Sequence, residues 1–211
     1  MDPWPFRHLV LRTPRLELRP DDDAGLLELA EEAKLGIHPP DFMPFLTSWS
    51  SNPAHEIIQH YWTTRGSLTP AKWTVNFLVR VDGRVIGMQG ATGKDFAVTR
   101  EVDTGSWLGQ RHQGKGYGTE MRAAVAMLMF DHLKAEQMTS GAFTDNTASQ
   151  AVSRKLGYVL NGTDRLAIEG KPRIDNRFLL TRERFAEFRP EWTVQVDGLD
   201  DCLPLLDSSV G

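Results

Sequence analysis

Between the strand-like Ser106-Trp107-Leu108 and a long apolar helix pattern lies Arg111-His112-Gln113-Gly114-Lys115-Gly116-Tyr117-Gly118. Glycines let the backbone turn sharply with its amides pointing inward, and the start of the next helix adds unpaired N–H groups and a partial positive charge. A strand, a glycine turn and a helix in that order make a socket for a pyrophosphate. The helix period continues through Met121, Ala124, Val125, Leu128 and His132, and Met138 to Thr144 then returns as a strand. Such a crossover sets the two strands parallel, so the chain must build an α/β sheet around this turn.

Spacing narrows the kind of socket. A P-loop requires a hydroxyl residue directly after its lysine, but Lys115 is followed by Gly116. A Rossmann turn requires G-x-G-x-x-G, whereas Gly114, Gly116 and Gly118 are spaced G-x-G-x-G. What remains is R-x-x-G-x-G, carried by Arg111, Gly114 and Gly116. A blander reading, glycines closing a tight connection for steric reasons alone, stands beside it.

Further along, Thr144-Asp145-Asn146-Thr147-Ala148-Ser149 and the run to Leu156-Gly157-Tyr158 read as a strand end, a helix cap, a short amphipathic helix and a glycine C-cap. Asn146 caps helices well in any protein, and Ser149 fits a first turn without any chemistry. Together with the glycine turn, in this order, the segment resembles the two cofactor segments of the GNAT superfamily of N-acetyltransferases. The opening Val10-Leu11-Arg12-Thr13-Pro14-Arg15-Leu16-Glu17-Leu18-Arg19-Pro20 is similar to the first strand of its RimJ/RimL-like branch. The runs His38 to Phe45 and Lys94-Asp95-Phe96 look like an actinobacterial subgroup that includes a mycobacterial protein succinyltransferase. The resemblance extends to about Phe185, implying an acyltransferase domain over 1–185 and a C-terminal extension over 186–211 packed on it.

The resemblance implies a fold and a set of roles. The fold is α/β, a mixed and mostly antiparallel sheet with a splayed parallel strand pair and helices on both faces. The donor is acetyl-CoA or another short acyl-CoA, succinyl-CoA included, with its pyrophosphate on Gln113, Gly114, Lys115, Gly116, Tyr117, Gly118 and Thr119. Arg111 adds charge there, Asn146 and Ser149 face the pantetheine arm, and a backbone amide near Trp107 or Leu108 receives the thioester oxygen. Ser149 is the first choice for the acid that protonates the departing sulfur, and Tyr158 the second. Asp103 is the candidate base, with a surface carboxylate on a strand face as the alternative; Glu169, which reads more naturally as a turn residue before Gly170, or a chain of waters could serve instead. The acceptor is an amine on a protein or a small molecule, walled by the aromatic loop carrying Phe42, Met43 and Phe45. A succinyl donor would need a cation for its distal carboxylate, for which Lys94 and Arg122 are candidates, although both read equally as surface residues. A homodimer is the family's usual assembly, and a CoA-responsive binding module without turnover is the competing class of function.

Composition sets the outer limits. A chain of 211 residues can hold one sizeable core. No apolar tract reaches the roughly eighteen residues of a membrane span, and Met1-Asp2-Pro3-Trp4-Pro5 lacks the marks of a secretory signal, so a cytoplasmic protein is expected. A net charge of -4 argues against non-specific nucleic-acid binding and suits a cationic amine. The six histidines show no metal-ligand spacing, and the one cysteine, Cys202, lies far from every motif.

The remaining elements follow from periodicity. Leu11 to Leu18 alternates as one strand, and Asp21, Asp22 and Asp23 open a helix that Gly36 ends. A Pro-rich aromatic loop over 37–51 leads to a second helix at Asn52-Pro53. Trp73 to Val81 and Arg84 to Ala91 pair across Asp82-Gly83 as a hairpin, and Glu101 to Leu108 is the next strand. A last pair, Arg165 to Ile168 and Asn176 to Leu180, turns at Glu169-Gly170. Trp192 to Val196 is strand-like, and Leu203 to Leu206 is a further apolar run.

Overall fold

A computed structural model describes residues 2–20, 22–47 and 49–206. The chain opens with two short strands, β1 (Val10–Arg12) and β2 (Glu17–Pro20), where one strand over Leu11 to Leu18 is expected. Pro14 is the reason: it has no N–H for a ladder, and the chain turns back so that Leu11 pairs with Leu18. The Thr13 hydroxyl accepts from the Leu16 amide at 2.9 Å and closes the turn.

Asp22 caps α1 (Asp23–Lys34), accepting the Gly25 amide at 2.6 Å; Asp21, the other expected cap, lies outside the described residues, as does Ser48 of the aromatic loop. α2 (Pro53–Gly66) follows with proline in its first turn. β3 (Lys72–Val81) and β4 (Arg84–Lys94) form the expected hairpin, with Asp82 at φ 49° and Gly83 at φ 78°, the pair of left-handed residues a two-residue turn requires. A short α3 (Phe96–Thr99) leads into β5 (Glu101–Leu108). Beyond the glycine turn, α4 (Tyr117–Met127) continues into a π-helical stretch, Leu128–His132. Residues 123–130 are all buried, as expected for a helix with apolar residues on more than one side.

β6 (Gln137–Phe143), α5 (Thr147–Lys155), β7 (Val159–Ile168) and β8 (Lys171–Thr181) come next, then α6 (Arg182–Phe188), β9 (Gln195–Asp197) and α7 (Leu203–Leu206). The nine described strands form one sheet ordered β7-β8-β6-β5-β4-β3-β2-β1-β9. Every adjacent pair is antiparallel except β5 and β6, so the sheet is the mixed, mostly antiparallel α/β arrangement expected, with its parallel pair where the crossover places it. The last hairpin is longer than its alternation suggests. β7 slips register between Leu160 and Thr163, and Gly162 at φ 108° takes up the extra residue, hiding the period of the strand's first half.

Two apolar layers hold the helices to the sheet. On one face α1 and α2 pack through Leu26, Leu29, Ile57 and Tyr61 against Leu78, Val85 and Trp107. On the other face α4 and the π-helical stretch after it pack through Met121, Val125 and Met129 against Phe77, Val79, Val102 and Met138. The C-terminal segment closes this second layer: β9 pairs with β1, Cys202 is buried, and the Leu206 carbonyl accepts from the Trp73 indole at 3.0 Å. Burial raises the Cys202 thiol to about 12, so it stays protonated and unreactive. Among the described residues no helix is long and apolar enough to cross a membrane.

Candidate active site

The parallel pair creates the opening. β5 and β6 share register only over Glu101–Thr104 and Gln137–Ser140. Past Thr104 the strands part: Gly105–Leu108 keeps β4 as its neighbour, while Gly141–Phe143 keeps β8. Along the inner edges of this fork, alternate backbone groups lack a strand partner and are available to an extended, amide-bearing chain.

At the end of β5 the glycine turn supplies the socket. Gly114 and Gly116 sit at φ 74° and φ 84°, the left-handed region that a side chain resists. Among the described residues, the amides of Gly114, Lys115, Gly116, Tyr117, Gly118 and Thr119 have no backbone acceptor; the first intrahelical bond is Glu120 N–H to Gly116 C=O at 3.1 Å. A cluster of free donors at a helix N-terminus is the arrangement a pyrophosphate fits.

The first hairpin braces the socket from behind. Glu120, only 7 % exposed, accepts from the Thr13 hydroxyl at 2.6 Å, the Arg15 amide at 3.0 Å and Arg15 Nε at 2.6 Å. Arg15 also donates to the Lys115 carbonyl at 3.0 Å and lies 4.8 Å over the Tyr117 ring. Arg111 is engaged elsewhere: its guanidinium pairs with buried Glu32 of α1, through Nε to Oε1 at 3.1 Å and through Nη2 to Oε2, and His112 reaches the same carboxylate at 3.3 Å. Gln113 donates to the carbonyls of Ile37 and Leu108 at 2.8 and 2.9 Å. Arg111 and Gln113 therefore tie the turn to α1 and the following loop. Lys115 is the socket's exposed cation without an ion pair among the described residues.

The second motif closes on the same place. Gly118 has Val152 of α5 and Leu108 of β5 as its nearest neighbours, with an added Cβ meeting them at 3.6 and 3.9 Å, so the two motifs and the strand end converge. Asn146 caps α5, its Oδ1 accepting the Ser149 amide at 3.1 Å, and its side-chain Nδ2 has no protein acceptor among the described residues. Ser149 is half-buried in the first turn. Tyr158 lies deeper, 4 % exposed, and its hydroxyl has no hydrogen-bond partner among the described residues. The neighbouring Thr104 hydroxyl has already given its proton to the Thr139 carbonyl at 3.0 Å. Burial pushes the Tyr158 phenol up, and the Arg122 charge pulls it partly back.

Arg122 does not ride an exposed helix face. It is 3 % exposed and donates to Ser153 Oγ at 3.0 Å and to Ser106 Oγ at 3.1 Å. Lys94 ends β4 opposite Lys72, at the closed end of the fork.

Acidic groups gather on the other face of the fork. Asp103 keeps solvent access, yet the surfaces around it strip enough water to hold its carboxyl above the usual range, against a hydrogen bond from Thr139 at 2.9 Å. Asp175 of β8, absent from the sequence-level candidates, stands over Gly141; an added Cβ there would sit 2.7 Å from its Oδ2. Its carboxyl is likewise raised, by burial and then by Asp164 and Asp103. Asp175 lies just before the strand expected over Asn176 to Leu180; the longer β8 includes it, and the β6–β8 pairing brings it to Gly141. Glu169 sits at φ 50° in the β7–β8 turn, with Gly170 at φ 73°.

The aromatic loop folds over the mouth of the fork on the α1 and α2 side. Phe45 packs on Trp49 at 4.7 Å between ring centroids, and Trp49 on Trp107 at 5.6 Å. Arg173 of β8 anchors the loop by donating to the Met43 carbonyl at 3.3 Å, and Phe42 is held by its own turn to Pro39. Met43, with His38 and Glu169, lines an open cleft of about 580 Å³. Among the described residues no three His, Cys, Asp or Glu side chains form a metal site.

Solved structures share this architecture. RimJ of Mycobacterium smegmatis in complex with CoA-disulfide aligns with a TM-score of 0.67 at 18% identity, over 85% of this chain and 90% of that one. RimL, a ribosomal L7/L12 alpha-N-protein acetyltransferase in complex with coenzyme A, aligns with a TM-score of 0.64 at 16% identity, over 80% and 95%. A GCN5-related N-acetyltransferase from Brucella melitensis aligns with a TM-score of 0.66 at 16% identity, over 85% and 81%. Residues 9–159, which include the fork, the glycine turn and the capped helix after it, match the acetyltransferase (GNAT) domain family. The chain belongs to the GNAT family of N-acetyltransferases.

Proposed function

We propose that this protein transfers an acetyl group from acetyl-CoA to a primary amine by direct attack, with both substrates bound at once. The observation that carries the reading is the run of unpartnered amides from Gly114 to Thr119 beside the fork between β5 and β6. The amides hold the pyrophosphate with help from Lys115, and the fork takes the pantetheine arm, with Asn146 and Ser149 at its edge. Arg111 supports this socket through Glu32. The thioester supplies an activated carbonyl, whose oxygen faces the backbone at Trp107 and Leu108.

The amine arrives as a cation, which the carboxylates of Asp103, Asp164 and Asp175 attract. Asp103 or Asp175 takes its proton, since a carboxyl raised by burial is a stronger base. Tyr158 replaces Ser149 as first choice for the acid, because its buried hydroxyl, beside Thr104, makes no well-formed hydrogen bond among the described residues. Phe42, Met43 and Phe45 wall the acceptor side. The RimL neighbour acts on a protein N-terminus, so a peptide α-amine is the first acceptor to try.

A succinyl donor would carry a distal carboxylate that needs a cation. Lys94 is at the wrong end of β4, and the Arg122 guanidinium is held by two serines beneath the sheet. Steady-state thiol release on one amine should therefore favour acetyl-CoA over succinyl-CoA by at least about tenfold, the worth of one uncompensated polar contact. A preference for succinyl-CoA would overturn the acyl assignment.

A further inference from the structure

Beneath the fork, on the face packed against α4, lies a belt of buried polar groups: Thr104, Ser106, Arg122, Ser140, Ser153 and Tyr158. Arg122 is its only cation. Its two hydrogen bonds go to neutral hydroxyls, and among the described residues its Nε has no partner and no carboxylate lies within ion-pair distance. A buried guanidinium without a counter-ion is expensive, and hydroxyls return only part of the lost hydration. The Tyr158 hydroxyl is buried in the same belt beside Thr104 and makes no well-formed hydrogen bond among the described residues. The belt thus holds two incompletely satisfied groups whose anchors, Ser106 for Arg122 and Thr104 for Tyr158, are two residues apart on one face of β5: one a permanent cation, the other an acid that leaves an anion.

We propose that Arg122 is a positioning residue for the leaving-group step: its guanidinium, clamped by Ser106 and Ser153, stabilises the phenolate left when Tyr158 gives up its proton. The inference rests on the acyl-transfer reading. As the C–S bond breaks, its electron pair leaves on sulfur; the Tyr158 O–H bond breaks and its proton joins that sulfur. The phenolate is held beside Arg122 until it regains a proton from solvent, to which the carboxylate that deprotonated the attacking amine returns one. The charged groups acting on Tyr158 are Arg122 from α4 and, from the opposite face of β5, Asp103; Ser153 of α5 and Thr104 and Ser106 of β5 are neutral.

The chain has three tyrosines, Tyr61, Tyr117 and Tyr158, so labelling the ring Cζ with carbon-13 gives three signals, and Tyr158→Phe identifies one. In Arg122→Met the Tyr158 signal should titrate at a pH higher by about one or more, while Arg122→Lys, which keeps the charge, stays near the parent. In step with this, kcat should fall about tenfold in Arg122→Met with the KM for acetyl-CoA changed less than about twofold. In a Tyr158→Phe background the same change should cost nothing further. Arg122→Gln serves as a second neutral variant if Arg122→Met does not fold. An unmoved Tyr158 titration in the neutral variant, kcat losses that multiply in the double variant, or a lysine variant that behaves like methionine would each overturn the proposal. The tyrosine titration does not depend on turnover, so a chain that transfers no acyl group refutes the acyl-transfer reading, whereas an unmoved resonance refutes this one.

Discussion

Gly116→Val should weaken CoA binding about a hundredfold by calorimetry and leave the melting temperature within a few degrees of the parent. Gly116 stands at φ 84°, where a β-branched residue is strained, and an added Cβ meets the Arg15 guanidinium at 3.2 Å. The valine therefore does two things at the socket. It tilts the backbone out of the left-handed region, turning the amides of Lys115 to Gly118 away from their common focus, and it places methyl groups near a phosphate's approach. Losing two or three charge-assisted hydrogen bonds costs about 3 kcal/mol, which is the hundredfold. The fold tolerates the change because Gly116 is exposed and the first turn of α4 stays pinned through Glu120 to Thr13 and Arg15. Parent-like affinity in the valine variant would remove the pyrophosphate from this turn.

The second large effect is on turnover. Tyr158→Phe should lower kcat about a hundredfold while Ser149→Ala lowers it far less, since a positioned acid contributes on that order. Asp103→Asn tests the other half of the proton balance. Burial holds the Asp103 carboxyl above its ordinary 3.8. As pH falls through that raised value the carboxylate takes up a proton and can no longer accept one from the amine, so kcat/KM drops on the acid side. The drop should lie above the range of an ordinary aspartate and vanish in Asp103→Asn, which is slow at every pH. If the limb persists unchanged in that variant, the base is Asp175 or a water. If the serine variant alone loses turnover, the acid is Ser149.

Much of this site was legible because its parts are local. Asp82-Gly83 specifies its own hairpin, and the glycine turn, the capped helix and the crossover between them are each written in a few consecutive residues. What escaped depends on partners distant in sequence. The strand over Leu11 to Leu18 became a hairpin at Pro14, and the turn it formed met Glu120 more than a hundred residues later. Arg111 carries the motif's charge, but only the packing of α1 against the turn shows that Glu32 holds it. Arg122 reads as a surface residue until α4 is seen buried on both sides. Asp175 joins Asp103 because β8, the later strand of its hairpin, inserts beside β6 and leaves β7 at the edge, an order no local pattern encodes.

The central claim is that the socket and fork serve transfer, and thiol release measures transfer directly. Purified protein with acetyl-CoA should release free CoA at a rate that depends on added amine, across a panel of peptides with free α-amines, lysine peptides and small primary amines. Mass spectrometry should find one acetyl group on the amine for each CoA released. CoA that binds tightly while no amine in the panel raises thiol release above the hydrolysis background would contradict the account and make the protein a CoA-responsive binding module.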